Sequence, residues 1–78
     1  MLKDLVEYAV QQLVDVPEKL NVVESREGDT ITFHITVDAR DRGKVIGKDG
    51  YTIKALRAFL AVVVPENMHV VIDLVQAA

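Results

Sequence analysis

Gly47 and Gly50 stand three residues apart in the stretch GKVIGKDGYTIKAL, between two segments whose apolar residues recur at helical spacing. The residues between them, Lys48 and Asp49, are both polar. Glycine inside a helix costs about 1 kcal/mol relative to alanine. The pair therefore separates one helix from the next, and it marks a loop whose backbone must do something that other residues resist.

The patterns on either side give the order of elements. Leu2, Leu5, Val6, Ala9, Leu13 and Val16 recur at helical spacing and predict an amphipathic helix over residues 2–15, ended by Pro17. Residues 20–26 read as a strand, and Glu27 to Thr30 as a polar turn. Ile31, Phe33, Ile35 and Val37 then alternate with Thr32, His34, Thr36 and Asp38, the signature of a strand with one buried face. Asp38 is placed to cap a short helix from Ala39 to Val45 or Ile46. Beyond the glycines, Ile53, Leu56, Phe59, Leu60 and Val63 predict a helix over residues 51–63, closed by Pro65. Val70, Ile72 and Leu74 predict a last strand, with His69, Val71 and Asp73 on its other face.

The order is α-β-β-α-α-β. The first two strands form a hairpin, and the last runs parallel to the second through a helical crossover. The expected fold is a two-layer α+β domain: a three-stranded mixed sheet with helices on one face, a single domain over residues 1–78. At this length only about 60 % of the unfolded surface can be buried, so the apolar half of the sequence is needed for the core.

Several function classes drop out. Without cysteine there are no disulfides and no thiolate metal sites. Asp4, Glu7 and Asp15 interrupt the N-terminal apolar residues, unlike a signal peptide. The longest apolar run, Ala58 to Val64, is far short of the roughly 20 residues that cross a bilayer. A soluble cytoplasmic protein with no membrane partner is expected. No Ser, Cys or Thr stands in a recognisable nucleophile arrangement, so no enzyme and no catalytic residue is expected. His34 and His69, on one open sheet face with Asp73, are read as surface histidines, with no metal and no cofactor.

Net charge is −3, but the charge is unevenly distributed. From Arg40 to Arg57 the chain carries +4, and the remainder carries −7. Such a cluster is either a solvated helix face or a local positive field for an anionic ligand. The loop favours the second. A helix beginning after Gly50 presents unpaired N–H groups and partial positive charge, a setting that binds phosphates. Glycines let a sugar-phosphate backbone approach closely. Lys48 at the loop tip and Lys44 one turn earlier add charge, and Asp49 is expected to cap the following helix. Spacing alone leaves open a connection in which the glycines only end helices. The P-loop and dinucleotide-binding glycine patterns are absent.

At VIGKDGYTI, Val45 to Ile53, the sequence resembles a KH domain: two aliphatic residues, G-x-x-G, then an aliphatic residue three positions on. The element order resembles the type II KH topology. Length and the run GKVIGKDG followed by ALR make the chain similar to the small bacterial single-KH proteins of the KhpA/YlqC type. The resemblance implies a non-catalytic RNA-binding protein, an RNA chaperone or post-transcriptional regulator, whose loop clamps about four nucleotides of a single strand. It implies that Gly47, Lys48, Asp49 and Gly50 meet the RNA backbone, flanked by Lys44 and Lys54, with Ile46 and Ile53 beneath the bases. The strand from Ile35 to Val37 would form the opposite wall. Tyr51 stands where many relatives carry a basic residue, and it can stack or hydrogen-bond. The resemblance also implies self-association and pairing with a larger KH protein of the KhpB/Jag type, with roles in cell elongation and division. The alternative from another class is a protein-interaction module that keeps the KH fold to dimerise and binds little RNA.

Overall fold

The structure, a computed structural model, describes residues 2–75. Helix α1 spans Leu2–Gln11 and leads through a short 3₁₀ turn, Pro17–Lys19, into the hairpin of β1 (Asn21–Glu27) and β2 (Thr30–Thr36). A second 3₁₀ turn, Ala39–Asp41, opens the five-residue helix α2 (Arg42–Ile46). A third, Lys48–Gly50, opens α3 (Tyr51–Val63), and β3 (His69–Val75) follows. The sheet order is β1-β2-β3, with β1 antiparallel and β3 parallel to β2. The two-layer α+β architecture and its mixed sheet are as the periodicities predict.

β2 is the centre of the sheet and of the core. Ile31, Phe33, Ile35 and Val37 are buried in strict alternation, and the residues between them are half-buried on the open face. Val6, Val10 and Val14 cover them from the N-terminal segment, Val45 from α2, and Leu60 and Val64 from α3 and its exit. At about 25 cal/mol per Å², each such aliphatic side chain contributes about 1.5–3 kcal/mol on burial. β1 adds only Val22. Its Glu24 and Arg26 share the inner face, since they pair with Phe33 and Ile31, but they remain exposed at the sheet edge. Arg26 there donates to Met68 Sδ at 3.7 Å.

Two sequence expectations need correction. The first helix ends at Gln11, not at residue 15. Asp41 explains why. Its side chain is fully buried, and its carboxylate accepts hydrogen bonds from the Asp15 amide (3.1 Å) and the Val16 amide (3.0 Å). Those amides turn towards α2 instead of closing another helical turn, and Val14 drops into the core. The second concerns α3, whose bounds agree with the reading but whose core face is narrower. Phe59 (50 % exposed) and Val63 face out. Ile53, Leu56, Leu60 and Val64 make the inner contact.

Asp38 caps the second 3₁₀ turn as expected, accepting from the Arg40 amide at 3.0 Å. That hydrogen bond holds the Asp38 carboxyl below the usual carboxylate range; partial desolvation opposes it, and the Arg40 guanidinium at 3.1 Å adds to it.

Asp41 and the Asp15–Lys44 ion pair differ sharply in what they contribute. Hydrogen bonds to a buried carboxylate are worth about 1.5–3 kcal/mol each, and an exposed ion pair about 0–1. Asp41→Ala is therefore expected to lower the unfolding free energy by about 2–4 kcal/mol in urea titrations. Asp15→Ala, which keeps its backbone amide and loses only an exposed pair, should cost about 1 kcal/mol or less.

Candidate nucleic-acid interface

The chain turns from α2 into α3 through the glycine loop. The Gly47 amide closes α2 on the Gly43 carbonyl at 2.8 Å, and the Gly50 amide closes the loop on the Gly47 carbonyl at 3.1 Å. Gly47 has φ 78° and ψ 171°, a region essentially reserved for glycine. A Cβ there would lie 2.2 Å from Thr52 Oγ1 and 2.8 Å from the Thr52 backbone nitrogen. Gly50 is left-handed at φ 74°, but a Cβ on it would meet nothing nearer than Lys54 Cε at 3.8 Å. The two glycines thus answer different demands. Gly47 lets the loop close on the first turn of α3, and Gly50 leaves a bare, open surface at the helix start.

α3 begins without a side-chain cap. Its N-cap is Gly50, and no side chain bonds its first turn. The expectation that Asp49 caps this helix is therefore overturned. Asp49 sits one position too early, in a left-handed conformation at φ 56°, and is exposed. The Tyr51 amide closes the 3₁₀ turn on the Lys48 carbonyl, and the helix start carries the positive end of a 13-residue helix dipole.

Lys48, Asp49, Tyr51 and Lys54 come together with Thr52 around one open concavity at this helix start. Thr52 was not foreseen. Its signal is positional, because side chains in a first helical turn point back towards the N-terminus and so meet the loop. Lys44 does not join the concavity. Its ammonium pairs with the Asp15 carboxylate and lies 4.0 Å from Asp41. Ile53 packs on the core, and Ile46 is half-buried. The segment from Ile35 to Val37 cannot offer Ile35 or Val37 as a wall, because both side chains are buried beneath the helices. Ile35 and Thr36 belong to the central strand, which pairs on both sides. The edge on the α2–α3 side is β3, where the Arg42 guanidinium donates to the carbonyls of Leu74 (3.5 Å) and Val75 (3.0 Å).

On the open sheet face, His34 pairs with Asp73 at 3.1 Å, and His69 approaches Asp29 at 3.9 Å. Among the described residues no three His, Cys, Asp or Glu side chains converge on a metal position. Nor is any helix there long and apolar enough to cross a membrane.

A glycine loop joining a short helix to a longer one, on a sheet of this order, is the arrangement that the resemblance implied. The family model described as KhpA/KhpB, KH domain, matches residues 3–73. The chain belongs to the KhpA/KhpB KH-domain family. It is similar to the protein named RNA-binding protein KhpA of Chlamydia caviae, at 42 % identity over 85 % of each chain. The same name is carried by relatives in Chlamydia trachomatis, 38 % identical over 96 % of this chain and 97 % of the relative, and in Clostridium perfringens, 39 % identical over 95 % and 100 %. No solved structure gives a significant match. The family is one of non-catalytic binding proteins, and none of these KhpA relatives has an enzyme's name.

In this KhpA/KhpB-family chain the two glycines should respond differently to the same substitution. Gly47→Ala meets both backbone strain and the Thr52 backbone, so a rotamer change at Thr52 cannot relieve it. A loss of about 2–5 kcal/mol is expected. Gly50→Ala meets only the left-handed penalty, about 1–2 kcal/mol. Urea unfolding of the two variants beside the unchanged protein measures the difference. Equal losses would show that the Thr52 contact does not matter.

Proposed function

We propose that this protein binds single-stranded RNA, holding the sugar-phosphate backbone at the Gly47–Gly50 loop and the start of α3. One observation carries the reading: an uncapped helix start lies behind a bare glycine, with Lys48 and Lys54 on the same rim. The positive end of the helix dipole and two lysines on one rim offer what a phosphate needs. The RNA-binding name of the relatives supports the same ligand. In this reading Gly47 and Gly50 shape the loop, and Lys48 and Lys54 meet phosphates. Asp49, Tyr51 and Ile46 border the bases, and Ile53 supports the groove from below. The groove's far wall is the edge strand β3 rather than β2. Lys44 contributes only after leaving Asp15. One such module with few phosphate contacts suits an RNA chaperone or post-transcriptional regulator of modest sequence preference.

A second activity is favoured by a separate observation. Tyr51, Ala55, Ala58, Phe59 and Val62 recur at helical spacing on α3, opposite Leu60, and all are exposed, Val62 by 81 %. Soluble chains rarely leave such a stripe uncovered. Its small central residues would let the same helix of a second copy approach closely. Self-association through α3 is the simplest use of it, and the larger KhpB-type protein of the family is the competing occupant.

Two measurements test these readings. A fluorescent single-stranded RNA pool should bind at low salt, with log K falling against log salt by about 0.7 per phosphate contacted. Lys48→Asp should abolish that binding while circular dichroism stays unchanged. Binding that survives Lys48→Asp would move the RNA site elsewhere, and no binding by the unchanged protein would remove the RNA reading. Val62→Asp should convert a dimer into a monomer in sedimentation equilibrium. An unchanged protein that is already monomeric would remove self-association.

A further inference from the structure

Tyr51 is the first residue of α3 and is 72 % exposed, although it is one of only four aromatic residues in the chain. It has no hydrophobic neighbour in the concavity it lines, whose other members are Lys48, Asp49, Thr52 and Lys54. A ring so exposed, on a rim shared with Lys48 and Lys54, adds little to the core. Tyr51 lines this concavity from the Gly50 end of α3, where helical side chains tend to lean towards the N-terminus. The proposed phosphate position and an exposed aromatic face are therefore adjacent along one rim. That is the pairing of parts from which single-strand sites are built: cations and amides for the backbone, an aromatic platform for a base.

We propose that Tyr51 is the base-stacking residue of this RNA site, taking one nucleobase on its ring while the adjoining phosphate sits on the helix start. The assignment rests on the RNA reading above. It chooses stacking over hydrogen bonding through the phenol, because Lys48 and Lys54 on the same rim already supply donors. A stacked base is sequence-tolerant, since every base has a π-face. The stack also adds affinity that salt does not remove, unlike the phosphate contacts.

The chain has two tyrosines and no tryptophan, which allows a direct test. In a Tyr8→Phe background Tyr51 is the sole strong emitter. Tyr8 is exposed and the change is conservative. Saturating single-stranded RNA should quench the Tyr51 emission, and an oligomer of the same length with abasic positions should not. Tyr51→Ala should weaken RNA binding about 5- to 150-fold and leave the salt slope unchanged. Tyr51→Phe should bind within about twofold of the unchanged protein. Alanine at an exposed first-turn position is a good helix former, so the fold is retained, as circular dichroism would verify.

Three results would overturn the assignment while leaving RNA binding intact: Tyr51→Ala binding as the unchanged protein does, emission that is not quenched at saturation, or an equal loss on the abasic oligomer. A Tyr51→Ala protein that binds RNA normally but no longer self-associates would give the residue to the α3 stripe instead. Failure of the unchanged protein to bind any RNA at low salt would instead remove the underlying RNA reading, and this assignment with it.

Discussion

Gly47 is the point on which the helical layer depends. The chain must leave α2, reverse within one 3₁₀ turn and start α3 against the same sheet. It does so through a backbone conformation that only glycine holds readily, with Thr52 packed where a side chain would otherwise stand. Close packing of Thr52 on Gly47 fixes the direction in which α3 sets out. That direction brings Leu56 and Leu60 onto the sheet. A single glycine thus couples the core packing of α3 to the exposure of its N-terminus.

A five-residue helix cannot hold a loop in place by itself, since isolated helices this short are not stable in water. α2 is fixed from both flanks by polar contacts. Asp41, buried at its start, takes two amides from the segment leaving α1. Arg42 reaches across to the last carbonyls of β3. Val45 fills the core between them. The loop is therefore carried on an element whose position is set by α1, β3 and β2 together. Rigid support of this kind lowers the ordering cost of holding a flexible strand of nucleic acid.

The sequence displays these features unequally. β2 and its partners were legible because an alternating pattern on a half-buried sheet has one reading. The bounds of α3 were legible because Gly50 and Pro65 punctuate it. The end of α1 was not, because what stops it is a carboxylate 26 residues away, and periodicity sees only neighbours. For the same reason Asp41 looked like one more acid in a charged segment. Phe59 and Val63 were assigned to the core because helical spacing finds an apolar face without saying how wide it is. α3 carries apolar residues on two opposite faces, and only packing separates them. At the candidate site the glycines and Lys48 were visible as a motif. Thr52 and the pairing of Lys44 with Asp15 needed three dimensions.

The charge balance sets the character of the site. A cluster of +4 within a chain of −3 suggests a strong anion surface, but the structure reduces it. Lys44 is engaged by Asp15, Arg42 by main-chain carbonyls and Arg40 by Asp38. Asp49 stands on the rim itself. Lys48 and Lys54 are what remain beside the helix start, so on the RNA reading the helix dipole must supply much of any phosphate recognition. Amides are fixed in place and carry no counterion cloud, whereas lysines are mobile and release ions on binding. A site built this way, on the RNA reading, gains affinity from geometry more than from field strength. Its binding would be shallow in its salt dependence and quick to release. It would then rely on non-ionic contacts, above all the exposed ring beside the loop, and on a second copy to lengthen its hold on a strand.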